Sequence, residues 1–199
     1  MINAFCKKRQ TLNHILNCCK VSLNQGRFTF RHDSVLNYIV KCLDTARYTC
    51  YVDIAGHQTA AGGTLPPNII VSTLRPDIVI VDEKKKEVKV FELTVPGEMR
   101  ISESHRLKTE KYQHFATDIK SHTASVLPFE IGSNTGHITR ENASTLHTLH
   151  KFCRKDVKLK QFTKNISSIV VLSSYYIFNS RNETEWEGDN YIISPFPNQ

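Results

Sequence analysis

The chain has 199 residues, 40% of them hydrophobic and 23% charged, the balance of a globular protein with room for one full-sized domain and a small appendage. That composition excludes a largely disordered chain, a collagen-like fibre and a low-complexity segment. Lys and Arg number 26 against 19 Asp and Glu, a net charge of +7 with a pI near 9.1, which favours an anionic partner, nucleic acid being the commonest.

Residues 1–31 read as a small separate element, polar and bearing Cys and His. Its first eight residues lack the apolar core and cleavage pattern of a secretion signal. The abrupt start reads as the tail end of a longer chain. Val35, Leu36, Ile39, Val40 and Leu43 then recur at helical spacing after Asp33-Ser34, either of which can cap. Tyr48 to Ile54 predicts a strand, followed by a Gly/Thr/Ala/Pro-rich loop to Pro67 and a short edge strand at Ile69 to Val71. Asp77 to Val81 is a continuous apolar run after its first residue, suited to a strand buried on both faces. Glu87 to Val95 alternates and is its hairpin partner, with the turn at 82–86. Residues 101–121 predict a helix with Ile101, Tyr112, Phe115 and Ile119 on one stripe, and Ser125 to Ile131 another strand. From about Glu141 to Ser180 the chain reads as helix with breaks, ending in a polar tail. The apolar stretch Ile166 to Phe178 is too short and too broken by serines to span a bilayer, so no membrane is expected as a partner. Six cysteines, at 6, 18, 19, 42, 50 and 153, lack the density of a disulfide scaffold and point to a reduced, intracellular setting.

The expected fold is therefore α/β: a mixed central sheet flanked by helices over 32–155, a partial Cys/His knuckle and linker at 1–31, and a helical C-terminal extension with its tail at 156–199. Docking of that extension on the core is expected rather than dimerisation, and the oligomeric state stays open.

Two carboxylates stand out. Asp77 follows Arg75-Pro76 at the start of one strand, and Glu92 lies inside the next among Val90, Phe91, Leu93 and Val95. A carboxylate so placed is costly unless paired, protonated or metal-bound. If the strands form a hairpin, both reach one end of the sheet, where two hard oxygen donors suit Mg²⁺ or Mn²⁺ beside a phosphate. The alternative is that Glu92 faces solvent and Asp77 caps a turn. Lys108 shares the stripe of Ile101, Tyr112, Phe115 and Ile119, and a lysine there wants an anion; Lys111 lies three residues on. Its alternative is a stem snorkelling to water.

Arg75-Pro76-Asp77, fourteen residues, then Glu92-Leu93-Thr94 resembles the PD-(D/E)XK nuclease pattern. More narrowly, the chain resembles the restriction-like endonuclease domain of site-specific non-LTR retrotransposon polyproteins. The likeness rests on Arg31-His32-Asp33, Glu92-Leu93-Thr94-Val95-Pro96, His105 to Tyr112 and Leu127 to Gly132, and runs from roughly residue 6 to 155. Most of the superfamily carries a lysine two residues after the glutamate; here that position is Thr94, and the retrotransposon group places its lysine on the following helix. The resemblance implies a metal-dependent DNA endonuclease acting in the nucleus, with Asp77, Glu92 and the Leu93 carbonyl on Mg²⁺ or Mn²⁺. Lys108 would orient water or stabilise the phosphate, with Lys111 and Tyr112 as neighbours. The partner would be DNA, with RNA of a parent retroelement as a second one. The alternative is a catalytically inactive remnant that still binds nucleic acid.

Cys6, seven residues, His14, four residues, Cys19 matches the last three ligands of the knuckle preceding that nuclease. The first cysteine's position holds Asn3, so Zn²⁺ would find three ligands unless Cys18 or a partner chain contributes. Candidate nucleic-acid contacts are Arg27, Arg31 and His32, the triplet Lys84-Lys85-Lys86, and the cluster Lys151, Arg154, Lys155, Lys158, Lys160 and Lys164. The alternative for each is a solvated face, which is the preferred reading of the triplet, while Arg31 and His32 lead because they precede the first helix.

Overall fold

The computed structural model describes residues 6, 8–54, 74–119 and 122–188; the expected edge strand at Ile69 to Val71 lies outside them. The chain enters through a π-helical turn, His14–Cys18, and a short helix α1, Lys20–Asn24. Helix α2 spans Arg27–Cys42 and begins six residues before the Asp33-Ser34 pair expected to cap it. Its cap is Gly26, whose φ of 72° is left-handed backbone that a side chain would resist. Asp33 is thereby freed from capping. The boundary expected at 31/32 falls inside this helix.

Four strands follow: β1 Thr49–Val52, β2 Ile78–Asp82, β3 Glu87–Thr94 and, after two helices, β4 Thr123–Glu130. Their order is β1-β2-β3-β4, antiparallel for the first two pairs and parallel between β3 and β4. A parallel pair needs a crossover, supplied by α3 Ile101–Lys111 and α4 Phe115–Asp118. One continuous helix was expected there; a turn at Tyr112–His114 divides it, while Tyr112, Phe115 and Ile119 all stay buried. Helices α5, Arg140–His150, and α6, Leu159–Asn179, complete the chain. The protein is thus mixed α/β.

Every residue of β2 is buried, because the sheet is covered on both faces. One face carries Ile78, Ile80, Phe91, Leu93 and Phe129 against α2, α5 and α6. The other carries Val79, Val81, Val88 and Val90 against Tyr112, Phe115 and Ile119. Helix α6 packs along α2, with Phe162, Ile166, Ile169 and Val170 fully buried in the core of the first face. Among the described residues no helix is long and apolar enough to cross a membrane.

Candidate active site

Alternation along the strands decides which side chains meet α3. In β2 the odd residues, and in β3 the even ones, face α3 and α4. Asp77 and Glu92 belong to that set. They follow the last ladder pair, Ile78 opposite Phe91, by one step on each strand. Each acid then closes a bond to the other's strand: the Asp77 amide donates to Glu92 Oε1 at 3.0 Å, and the Leu93 amide donates to Asp77 Oδ2 at 2.7 Å.

Helix α3 brings the cation. Lys108 Nζ donates to Glu92 Oε2 at 2.7 Å, and the glutamate is fully buried while the lysine side chain keeps 25% of its exposure. Burial foremost, then the Asp77 charge, pushes the Glu92 carboxyl above the ordinary glutamate range, against the pull of Lys108 and Tyr112. The Tyr112 hydroxyl donates to the Arg75 carbonyl at 3.2 Å, and burial with the Glu92 charge raises its phenol. Lys111 is exposed, its ammonium 4.8 Å from the Tyr112 ring centroid. Leu93 contributes its amide to Asp77 and its side chain to the opposite core.

The first helix completes the cluster. His32, a candidate nucleic-acid contact, keeps 26% of its side-chain exposure, with Nδ1 2.9 Å from Asp33 and Nε2 3.4 Å from Asp77 Oδ2. Burial alone would lower this imidazole, but bonds and charges from Asp33 and Asp77 outweigh it and push it up to about 9. Asp33 is thereby a partner of His32, where the sequence had it capping the helix.

Arg27 and Arg31 require correction as nucleic-acid contacts. Both are buried, at 1% and 3% exposure, because nearby backbone carbonyls take their guanidiniums. Arg27 donates to the Ser180 and Glu183 carbonyls. Arg31 donates to the Leu16 and Val95 carbonyls and to Ser174 Oγ. Of the other candidate contacts, the hairpin lysines, two of them paired with Asp82 and Glu83, and the basic residues of the Lys151-to-Lys164 cluster around the α5–α6 turn are exposed.

A second group gathers at the N-terminus. The ligand atoms of Cys6, His14 and Cys19 lie within 4.8 Å of one another, and Cys6 Sγ is 3.4 Å from His14 Nε2. Burial pushes the Cys19 thiol up, but backbone and hydroxyl hydrogen bonds from Ser22 outweigh it and leave the thiol below its usual range. Cys18 is exposed and outside the group. The segment is held down by Ile15 and Leu16, buried against Ile177 of α6, and by Ser133 Oγ donating to Asn17 at 2.9 Å.

Sequence reasoning passed over one pair. Glu130, the last residue of β4, is fully buried and accepts from His105 Nδ1 at 3.0 Å. His105 sits one turn before Lys108 on the same helical stripe, a spacing that the sequence already contained. No family model matches the chain, and no curated protein matches it.

Proposed function

We propose that this chain is a metal-dependent DNA endonuclease domain of the retrotransposon type, built on a PD-(D/E)XK core. The observation that carries the reading is the convergence of Asp77, Glu92 and Lys108 from β2's entry, β3 and α3. The mixed sheet and the acidic pair on adjacent antiparallel strands support it.

The residues fit a hard divalent cation. Two carboxylates held side by side in a buried setting repel, which is the electrostatic demand that Mg²⁺ or Mn²⁺ answers. Asp77 and Glu92 would hold the ion, with the Leu93 carbonyl as a third donor. A bound ion supplies Lewis acidity toward the scissile phosphate and lowers the pKa of its water. Lys108 places positive charge beside the acids, where negative charge builds on a pentacovalent phosphate. Tyr112 packs behind that ammonium, its ring centroid 5.9 Å from Nζ. On this reading the partner is DNA, with RNA of a parent retroelement as a second ligand, and the place of action is the nucleus.

Nicking of supercoiled plasmid in Mg²⁺ or Mn²⁺ tests the proposal. Wild type should nick, while Asp77→Ala and Lys108→Ala should each lose about 10²-fold or more in rate. Equal cleavage by all three rejects the assignment. One observation favours a second reading, an inactive domain that binds nucleic acid: both Glu92 oxygens already have protein partners, the Asp77 amide and Lys108. Absence of divalent-cation binding by calorimetry, with salt-sensitive DNA affinity retained, would select it.

Cys6, His14 and Cys19 are proposed to hold Zn²⁺, since two thiols and an imidazole within mutual reach form a soft donor set. Equilibrium dialysis should find one tightly held zinc per chain, lost in Cys19→Ser. Zinc content below a tenth per chain for the wild type would refute the assignment.

A further inference from the structure

Helix α3 lays three polar side chains on the sheet, His105, Lys108 and Tyr112, at steps of three and four residues. They engage three successive strands. Tyr112 reaches the Arg75 carbonyl ahead of β2 at 3.2 Å, Lys108 reaches Glu92 on β3 at 2.7 Å, and His105 reaches Glu130 on β4 at 3.0 Å. These contacts matter because apolar packing gives α3 little hold: of its eleven residues only Ile101 is buried. A helix with one buried side chain can roll on its sheet, and Lys108 has a flexible four-carbon stem.

The His105 contact is the one made to β4, the strand farthest along the sheet from Asp77. Glu130 is fully buried, and its Oε1 has no hydrogen-bond partner among the described residues. Thr94 Oγ1, on the residue paired with Glu130 in the β3–β4 register, is likewise buried and without one. The imidazole thus holds Oε2 of a carboxylate shut away from water, with the Asn142 amide also acting on that acid, and such a pairing is expensive to break. On its outer side His105 Nε2 lies 3.6 Å from the exposed Glu141 of α5, so the ring bridges α3, β4 and α5.

We propose that His105 is a positioning residue: its bond to Glu130 sets the rotation of α3 over the sheet and so holds the Lys108 ammonium on Glu92. The consequence for cleavage rests on the nuclease reading, whereas the placement of Lys108 does not. His105 acts through its Nδ1–H, which a shorter amide can replace, and needs no contact between Nε2 and substrate.

The test is amine-acylation footprinting read by mass spectrometry, with the exposed Lys111 as internal reference in each sample. In the wild type Lys108 should react several-fold more slowly than Lys111. In His105→Ala, folded by circular dichroism, the Lys108:Lys111 ratio should rise several-fold. In His105→Asn, whose side-chain amide stands where Nδ1–H does, the ratio should stay at the wild-type value. An unchanged ratio in folded His105→Ala overturns the proposal, and so does a raised ratio in His105→Asn. If the alanine variant does not fold, His105→Leu, which keeps the bulk and lacks the Nδ1–H, takes its place with the same expected rise and the same overturning result. Where wild type cleaves, kcat should fall in His105→Ala with KM unchanged and recover in His105→Asn; loss in both would make the imidazole itself a catalytic group and overturn the positioning role. An inert wild type removes the nuclease reading and leaves the footprint fully decisive.

Discussion

Glu92 and Glu130 are both fully buried acids on the α3 face of the sheet, yet their surroundings differ. Glu92 has a protein partner on each oxygen, while Glu130 has His105 on one and none on the other. Burial foremost pushes the Glu130 carboxyl above the ordinary glutamate range, with His105 pulling it back. A carboxyl whose folded value is raised contributes its full stability below the ordinary range and loses it as pH climbs through the raised value. Glu130→Gln keeps the shape and removes the titration. Its melting temperature relative to wild type should therefore rise between pH 4 and pH 8. Parallel curves across that window would show that Glu130 ionises as readily folded as unfolded.

At the scale of elements, the strands were the most legible part of the chain. The apolar run after Asp77 and the alternation after Glu87 give β2 and β3 within a residue, because covering by helices on both faces writes itself directly into composition. Helix α2 was legible in its apolar stripe and misread at its start. Its first turn, Arg27 to Phe30, carries no side-chain cap, and the helix starts where the left-handed Gly26 turns the chain out of α1. The break between α3 and α4 has neither glycine nor proline to announce it. It follows from tertiary demands: Tyr112 must reach the Arg75 carbonyl while Phe115 and Ile119 fill the hollow over Val81 and Val88. Lys108 is legible from its place on an apolar stripe, whereas His105, one turn earlier, has an acid partner on β4 that the stripe does not indicate.

For the whole molecule, the segment read as a separate N-terminal element is tied to the rest through Arg31. Its guanidinium joins Leu16 of the π-helical turn, Val95 just after β3 and Ser174 of α6, three segments far apart in sequence. Burial draws this group down to about 10, so the fold bears a desolvated cation in return for the junction. Arg31→Ala would strand these acceptors, and urea unfolding should record a loss of about 3 kcal/mol or more. Arg31→Lys should recover only part of it, since an ammonium cannot reproduce the planar fork. A loss under about 1 kcal/mol in Arg31→Ala would show that the segment docks through Ile15, Leu16 and the Ser133–Asn17 bond without help from Arg31.

By itself the sequence determined the α/β class, the hairpin and the acids at its open end, because strand period and apolar burial are local properties of the chain. It also contained the Cys6, His14 and Cys19 spacing that the fold draws into one group. What only tertiary structure decided is the fate of polar side chains with long reach. Arg27 and Arg31 read as surface cations and are buried, His32 reaches Asp77 across the fold, and Glu130 meets His105 from twenty-five residues away. A charged side chain settles where the most carbonyls or carboxylates converge, and that convergence is a sum over distant segments which no window of sequence contains.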